Sequence, residues 1–221
     1  MIASLDTLFQ NQPLWERASS FLWDTLRWVH PHYLQSLFPE DLFAADQLPP
    51  RARRFAVERL GITPCVHAFP IADGSRFLLL DHAELTRLAQ WLGALAYTRP
   101  LRTLLQGEAV RQLQTALPGV YPECLHELGW FLPDLPRLQA VIPSSSMPTP
   151  AEVEHVGRRL LFAHLSHLPE PLLRRFRLRF SPDQLARWGS LQQWPSSEAD
   201  VVLLQRLLKR LSPEGYELCC C

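Results

Sequence analysis

The chain has 221 residues, of which 47% are hydrophobic and 20% are charged, and its formal net charge is +0. This composition is that of an ordinary globular protein and excludes a largely disordered chain. The charge balance excludes a whole-chain field that draws the protein to nucleic acid or anionic lipid, although a local basic patch stays open.

The sequence offers no targeting or membrane-spanning signal. No uninterrupted apolar run approaches the roughly 20 residues that a membrane-spanning helix needs, and the first 15 residues lack the pattern of a secretory signal. The five cysteines have no regular spacing and do not form a disulfide framework. We therefore expect a cytoplasmic protein.

Apolar residues recur at intervals of three and four through the first 40 residues and predict an amphipathic helix, which Pro31 ends or interrupts. This stripe consists of Leu14, Ala18, Phe21, Leu22, Thr25, Leu26 and Val29. Trp15, Trp23 and Trp28 add a large apolar area to the same region. We expect these tryptophans to pack in the core rather than to form an exposed docking surface.

A short basic helix is predicted from Arg51 to Leu60, with Gly61 as its C-terminal cap. Two short apolar stretches follow, at residues 65–71 and 76–80, on either side of the turn-forming pair Asp73-Gly74. Apolar runs that flank Asp-Gly are typical of a β-hairpin, so we predict a short one here.

Consecutive helices are predicted from residue 81 to residue 117, because leucines and alanines recur there at helical spacing. Asp81 and Glu84 have the spacing of a capping box, in which two side chains bond the free N–H groups at a helix start. Pro100 ends this first helix and begins a second one. Gly107 separates the second helix from a third.

A proline- and serine-rich stretch at residues 133–150 predicts an exposed loop. Capping boxes at residues 149–152 and 181–184 begin two further helices, and apolar spacing predicts a last helix at residues 198–211. The tail at residues 212–221 ends in three consecutive cysteines and is expected to be flexible.

The predicted fold is mainly α, a compact multi-helix domain with one short β-hairpin near residues 65–80. A chain of this length supports one good-sized core or at most two small domains. The part after the proline- and serine-rich loop offers about three helices, which is little for a core of its own. We therefore expect residues 1–221 to form a single domain.

Enzyme motifs are missing from the sequence: no phosphate-binding loop, dinucleotide fingerprint, nucleophile elbow or zinc-protease motif occurs. Lys209 is the only lysine, so any lysine chemistry is restricted to that residue. His155, His164 and His167 share one predicted helix and support a rival interpretation as a metal-dependent enzyme, but no further ligand has motif spacing. The sequence thus predicts no catalytic residues, no cofactor and no metal site.

Two arginine clusters are the candidate partner-binding residues. The first lies early in the basic helix and consists of Arg51, Arg53 and Arg54. The second alternates with apolar residues and consists of Arg174, Arg175, Arg177 and Arg179. The alternation predicts that the apolar side chains face inward and that the last three arginines face outward. Such a strip binds an acidic protein or nucleic-acid phosphates, so a nucleic-acid-binding regulator is the alternative function.

The segment Leu88 to Leu113 resembles the central part of the SctK family (the YscK/OrgA type), cytoplasmic adaptors of bacterial type III secretion injectisomes. Leu92-Gly93 is followed by a short apolar helix and then by the sequence QGEAV at residues 106–110, similar to the family's LG…GEA-V/I-R pattern. The sequence WVHPHYL at residues 28–34 and the segment at residues 157–180 are similar to further elements of the family.

This resemblance implies a non-enzymatic adaptor domain at the cytoplasmic face of the inner membrane. Members of the family link the cytoplasmic domain of the inner-membrane ring protein (SctD type) to the pod protein of the sorting platform (SctQ type). The implied partners are these two proteins, with no small-molecule substrate, no cofactor and no insertion into the membrane. We expect the arginine strip to contribute to an electrostatically complementary interface.

Overall fold

The structure, a computed structural model, describes residues 12–38, 48–62, 77–102, 107–120, 148–165, 168–188 and 198–211. Most of these residues are helical, and none of them lies in a β-strand. The prediction of a mainly α fold is confirmed. Within the same residues, no helix combines the length and the apolar character that crossing a membrane requires.

The α-helices in the described ranges are, in chain order, α1 Gln12–Trp23, α2 Pro31–Gln35, α3 Pro50–Leu60, α4 His82–Ala96, α5 Thr98–Arg102, α6 Gly107–Ala116, α7 Pro150–Leu165, α8 Glu170–Arg177, α9 Pro182–Trp188 and α10 Glu198–Leu211. A 3-10 helix, Thr25–Trp28, lies between α1 and α2. The predicted loop at residues 133–150 falls outside the described residues up to residue 147, and the predicted tail at 212–221 falls outside them entirely.

The chain divides into two compact units. Among the described elements, unit 1 contains α1, α2, α3, α8 and nearly all of α9, and unit 2 contains α4 to α7 and α10. The division describes which parts of the chain contact one another. The expectation that residues 1–221 form a single domain stays a prediction.

The predicted hairpin near residues 65–80 is not supported. Residues 77–79 form a 3-10 turn instead of a second strand, and residues 63–76 lie outside the described part of the chain. Phe77, Leu78, Leu79 and Leu80 are all buried. A short apolar run indicates that a segment is buried. It does not by itself distinguish a buried strand from a buried helical turn.

The N-terminal helix ends earlier than predicted, at Trp23, and Pro31 begins a helix instead of ending one. His30 is extended, with ψ 135°, because a residue before proline is excluded from the α region. The Nδ1 atom of His30 accepts a hydrogen bond from the backbone N–H of His32 at 3.2 Å. The fixed φ of proline suits the first position of α2.

The expectation that all three N-terminal tryptophans pack in the core is wrong for Trp23, whose side chain is 47% exposed. Trp23 follows Leu22 by about 100° around the helix and so lies away from the buried face. Trp15 packs against Trp23, with 5.8 Å between ring centroids. Trp28 is half-buried, and its Nε1 donates a hydrogen bond to Ser20 Oγ at 3.0 Å.

The predicted capping boxes are confirmed. The backbone N–H of Glu84 donates to Asp81 Oδ1 at 2.8 Å, and the backbone N–H of Asp81 donates to Glu84 Oε2 at 2.7 Å. The same reciprocal pair of bonds closes the boxes at residues 149–152 and 181–184. The cap predicted at Gly61 is also confirmed, since its φ of 65° is a left-handed conformation that glycine adopts readily.

Unit 2 is built on the antiparallel pair α4 and α7, whose backbones touch. A Cβ added to Gly157 would lie 1.6 Å from the carbonyl oxygen of Ala89, and one added to Gly93 would lie 1.8 Å from that of Val153. The two helices therefore approach more closely than side chains larger than hydrogen allow at these positions. Helix α10 packs on α4, and α6 contacts α7.

We expect Gly157→Ala to lower the free energy of unfolding by about 1–3 kcal/mol, because the new methyl group overlaps a backbone carbonyl and forces the helices apart. Urea unfolding measures the change. Gly107→Ala is the matched control, because a Cβ there meets nothing within 4 Å, and it should be neutral or stabilising by up to about 1 kcal/mol. Equal midpoints for Gly157→Ala and the wild type would contradict the close approach.

Candidate interaction surface

The seven arginines predicted to bind partners divide by burial, and two of them are in the interior. Arg175 is 4% exposed and Arg179 is 8% exposed. The remaining five are exposed or half-exposed and consist of Arg51, Arg53, Arg54, Arg174 and Arg177. The second cluster is therefore not a continuous outward strip.

Arg175 joins three segments of unit 1 through backbone carbonyls. Its Nη1 donates to the carbonyl oxygens of Phe21 at 2.9 Å and Leu22 at 2.8 Å, and its Nη2 donates to that of Ile62 at 3.3 Å. Phe21 and Leu22 lie in the last turn of α1, where carbonyls lack partners within the helix and the dipole is negative. A buried guanidinium therefore caps α1 and ties its end to the residue after the α3 cap.

Arg179 holds the turn that replaced the predicted second strand. Its Nη1 donates to the carbonyl oxygen of Leu78 at 2.7 Å, and its guanidinium lies 4.6 Å from the ring centroid of Trp28. Guanidinium groups stack on aromatic faces, which are the negative side of the ring. Next to it, the backbone N–H of His30 donates to the carbonyl oxygen of Leu178 at 2.7 Å.

The predicted outward orientation of Arg175 and Arg179 is wrong because this segment is helical. Alternation in sequence sorts residues onto two faces only in a strand. In α8 and the turn that follows it, residues four apart share a face, which places Arg175 beside Arg179 and Phe176 beside Phe180. The rings of Phe176 and Phe180 are 5.3 Å apart between centroids. Neither buried arginine is placed to contact nucleic-acid phosphates.

Arg174 and Arg177 remain at the surface of unit 1. The exposed Arg174 lies over Gly61, since a Cβ added to that glycine would be 2.7 Å from the guanidinium carbon. The Nη1 of Arg177 is 3.7 Å from Glu170 Oε1, and both side chains are partly exposed. An exposed ion pair at this distance contributes little to stability.

Helix α3 carries the other three predicted residues. Arg53 forms an ion pair with Asp24, the residue after α1, so it holds α3 against the end of that helix. Arg54 bonds Glu58 Oε1 through Nε at 3.0 Å, and both side chains are well exposed. Arg51 is exposed in the first turn of the helix.

Sequence reasoning missed an aromatic residue that lies among these arginines. Phe55 is 50% exposed, and its ring meets that of Phe38 at 6.1 Å between centroids. The signal was present in the spacing of Ala52 and Ala56, which marks the inner face of α3. We call the exposed side of this helix the α3 outer face, and it consists of Arg51, Arg54, Phe55, Glu58 and Arg59.

The histidines do not form a described metal site. Within the described residues, no group of three or more His, Cys, Asp or Glu side chains is placed to hold a metal ion. His155 is partly buried, and this burial, followed by the nearby charge of Arg159, lowers the pKa of its imidazole. The side chain of His164 and all of His167 lie outside what the structure describes.

Unit 2 has an open groove of about 600 Å³ between α6 and the start of α7. The lining residues are Glu108, Arg111, Gln112, Thr115, Ala116 and Pro150, and carbon atoms form most of the lining surface. At the C-terminal end of α4, burial and then the carboxylate of Glu152 raise the pKa of the Tyr97 hydroxyl. The groove lining carries one carboxylate, that of Glu108, and one guanidinium, that of Arg111.

These features define a helical protein of two compact units with an exposed basic and aromatic face. A family model described as YOP proteins translocation protein K (YscK) matches residues 46–220. The match covers most of the chain, so the chain belongs to the YscK family and is associated with type III secretion. No curated protein and no solved structure matches it. The resemblance carried by residues 88–113 is thereby confirmed.

We expect Arg175→Ala to lower the free energy of unfolding by about 3 kcal/mol or more, because three buried carbonyls lose a charged donor. Arg175→Lys should recover only part of this loss, since an ammonium group lacks the planar fork. Denaturant unfolding of both variants measures the difference.

Arg177→Ala is the matched control in the same helix, and its partly exposed ion pair predicts a change within about 0.5 kcal/mol. If Arg175→Ala is no less stable than Arg177→Ala, the buried arginine does not hold unit 1 together.

Proposed function

We propose that this chain is a non-enzymatic adaptor of the type III secretion sorting platform. It links the cytoplasmic domain of the inner-membrane ring protein (SctD type) to the pod protein (SctQ type) at the cytoplasmic face of the inner membrane. The observation that carries the proposal is membership of the YscK family over residues 46–220, together with the motif resemblance in the central helices.

An adaptor needs rigid structural units, and the interior of each unit fits that requirement. In unit 1, Arg175 fixes three backbone segments at once. In unit 2, α4 and α7 touch through backbone atoms at Gly93 and Gly157, and the buried Arg158 bonds Glu154 on its own helix and Thr86 on α4. Close packing and satisfied buried polar groups of this kind resist gradual deformation.

An adaptor also needs an exposed surface that can bind its partners, and α3 provides such a surface. The half-exposed Phe55 lies between exposed arginines, and arginine and aromatic residues are enriched at protein interfaces. The buried Arg175 and Arg179 serve the interior instead. The interface role predicted for the arginine strip therefore passes to the surface residues Arg174 and Arg177 and to α3.

We expect the chain to bridge its two partners. Immobilised cytoplasmic domain of the cognate ring protein should retain the cognate pod protein only when this chain is added, because neither end protein supplies the other's contact. Retention of the pod protein is measured on a gel, and light scattering of the eluted complex gives its mass.

The control omits the chain, and a second control replaces it with Arg175→Ala after its loss of stability has been verified. Binding to one partner without bridging, or binding to neither partner, would overturn the proposed adaptor function.

A further inference from the structure

Helix α3 has two faces of different chemistry. Ala56 is fully buried, and Ala52, Val57 and Leu60 pack against the hydrophobic core of unit 1. The five residues of the α3 outer face occupy positions i, i+3, i+4, i+7 and i+8 from Arg51, so they form one stripe along the opposite side. The helix is therefore anchored by one face and presents the other.

The α3 outer face is basic and has an aromatic centre. Three arginines against one glutamate leave it with a net positive charge, and Glu58 is already bonded to Arg54. Phe55 lies near the middle of the stripe, and its contact with Phe38 extends the apolar area toward the rim of the core.

The charges of the first-turn arginines are unfavourable for the dipole of the helix that carries them. A helix N-terminus is the positive end of the dipole, so basic residues there are unfavourable and acidic ones favourable. The first turn of α3 has no acidic residue, and it contains Arg51 and Arg53. Asp24 offsets the charge of Arg53. The charge of Arg51, together with that of Arg54, faces the solvent side.

We propose that the α3 outer face docks a short acidic segment of a protein partner, in which carboxylates meet Arg51 and Arg54 and one apolar side chain covers Phe55. Charge complementarity selects carboxylates, which pair with guanidinium groups in a bidentate manner. The central aromatic requires an apolar contact, and a desolvated aromatic flanked by arginine is the usual composition of an interface hot spot. This assignment rests on the proposed adaptor function and names the surface it uses.

A protein partner fits this face better than nucleic acid. The half-exposed Phe55 at the centre of the stripe requires an apolar contact that phosphates do not supply, and the chain as a whole has a net charge of +0. Nucleic-acid binding draws on several arginines or lysines that are free to neutralise phosphates. The three arginines and one glutamate of the α3 outer face give it a net charge of +2, which suits a short segment with few carboxylates.

Phe55→Ala tests the apolar contact. Its Kd for the partner that uses this face, the ring-protein domain or the pod protein, should rise about 10-fold or more, as expected for truncation of a hot-spot residue. Val202→Ala is the matched control, because Val202 is also an exposed apolar residue on a helix, in unit 2, at 42% exposure. Its Kd should stay within about twofold of the wild type. Calorimetry with each purified partner gives both values.

The double variant Arg51→Glu/Arg54→Glu tests the charge contact without touching the core. It should slow association and reverse the salt dependence of the association rate. The face changes from a net charge of +2 to a net charge of −2, and exposed charge pairs act chiefly on the association rate. Arg87→Glu reverses an exposed arginine on α4 and is the matched control. Stopped-flow mixing at low and high salt measures the rates.

The outcomes separate this surface from the adaptor function. If the wild type binds a partner and both α3 variants bind it equally well, the surface is overturned and the adaptor function stands. If the wild type binds neither partner, the adaptor function falls, and the surface falls with it. If the double variant loses binding to duplex DNA or single-stranded RNA while partner binding is unchanged, the face is a nucleic-acid site and the proposal is overturned.

Discussion

A single buried guanidinium organises unit 1. Arg175 bonds carbonyls in the last turn of α1 and after the cap of α3, and it sits on α8. Burying a charge is unfavourable unless hydrogen bonds replace the lost water. Helix C-termini supply that replacement, because their carbonyls lack partners and point along the negative end of the dipole. The ends of two helices and the buried arginine thus satisfy one another.

Unit 2 solves the same problem of holding helices together by different means. Its central pair, α4 and α7, uses glycine to bring backbones into contact, so dispersion between main chains replaces a layer of side chains. Buried leucines and alanines of α4 fill the remaining core, including Leu85, Leu88, Ala89, Leu92 and Ala96. Arg158 also donates a hydrogen bond to Thr86 across this pair.

Local signals predicted the helix starts well, whereas side-chain orientation escaped sequence reasoning. Each capping box is formed by two residues that are three apart in the sequence, as at residues 81–84, 149–152 and 181–184. Its formation therefore does not depend on distant parts of the chain. The hairpin prediction was wrong because residues 77–79 are apolar and buried, and these two properties do not distinguish a strand from a 3-10 turn. The predicted outward orientation of the arginine strip was wrong because the carbonyls that accept from Arg175 and Arg179 belong to distant segments. The sequence around these arginines does not reveal them. The exposure of Phe55 was not predicted because it depends on which face of α3 packs against the core.

The sequence separation of the Arg175 contacts has a consequence for synthesis. Its carbonyl partners precede it by 154, 153 and 113 residues. At ribosomal rates of about 5–20 residues per second, the end of α1 exists for roughly 10 to 30 seconds before its donor is made. During that interval the N-terminal helices have neither the guanidinium nor the apolar side chains of α8 to pack against. Unit 1 is therefore completed late in translation, after most of the sequence of unit 2 has been made, and truncation before α8 removes the donor that bonds the end of α1.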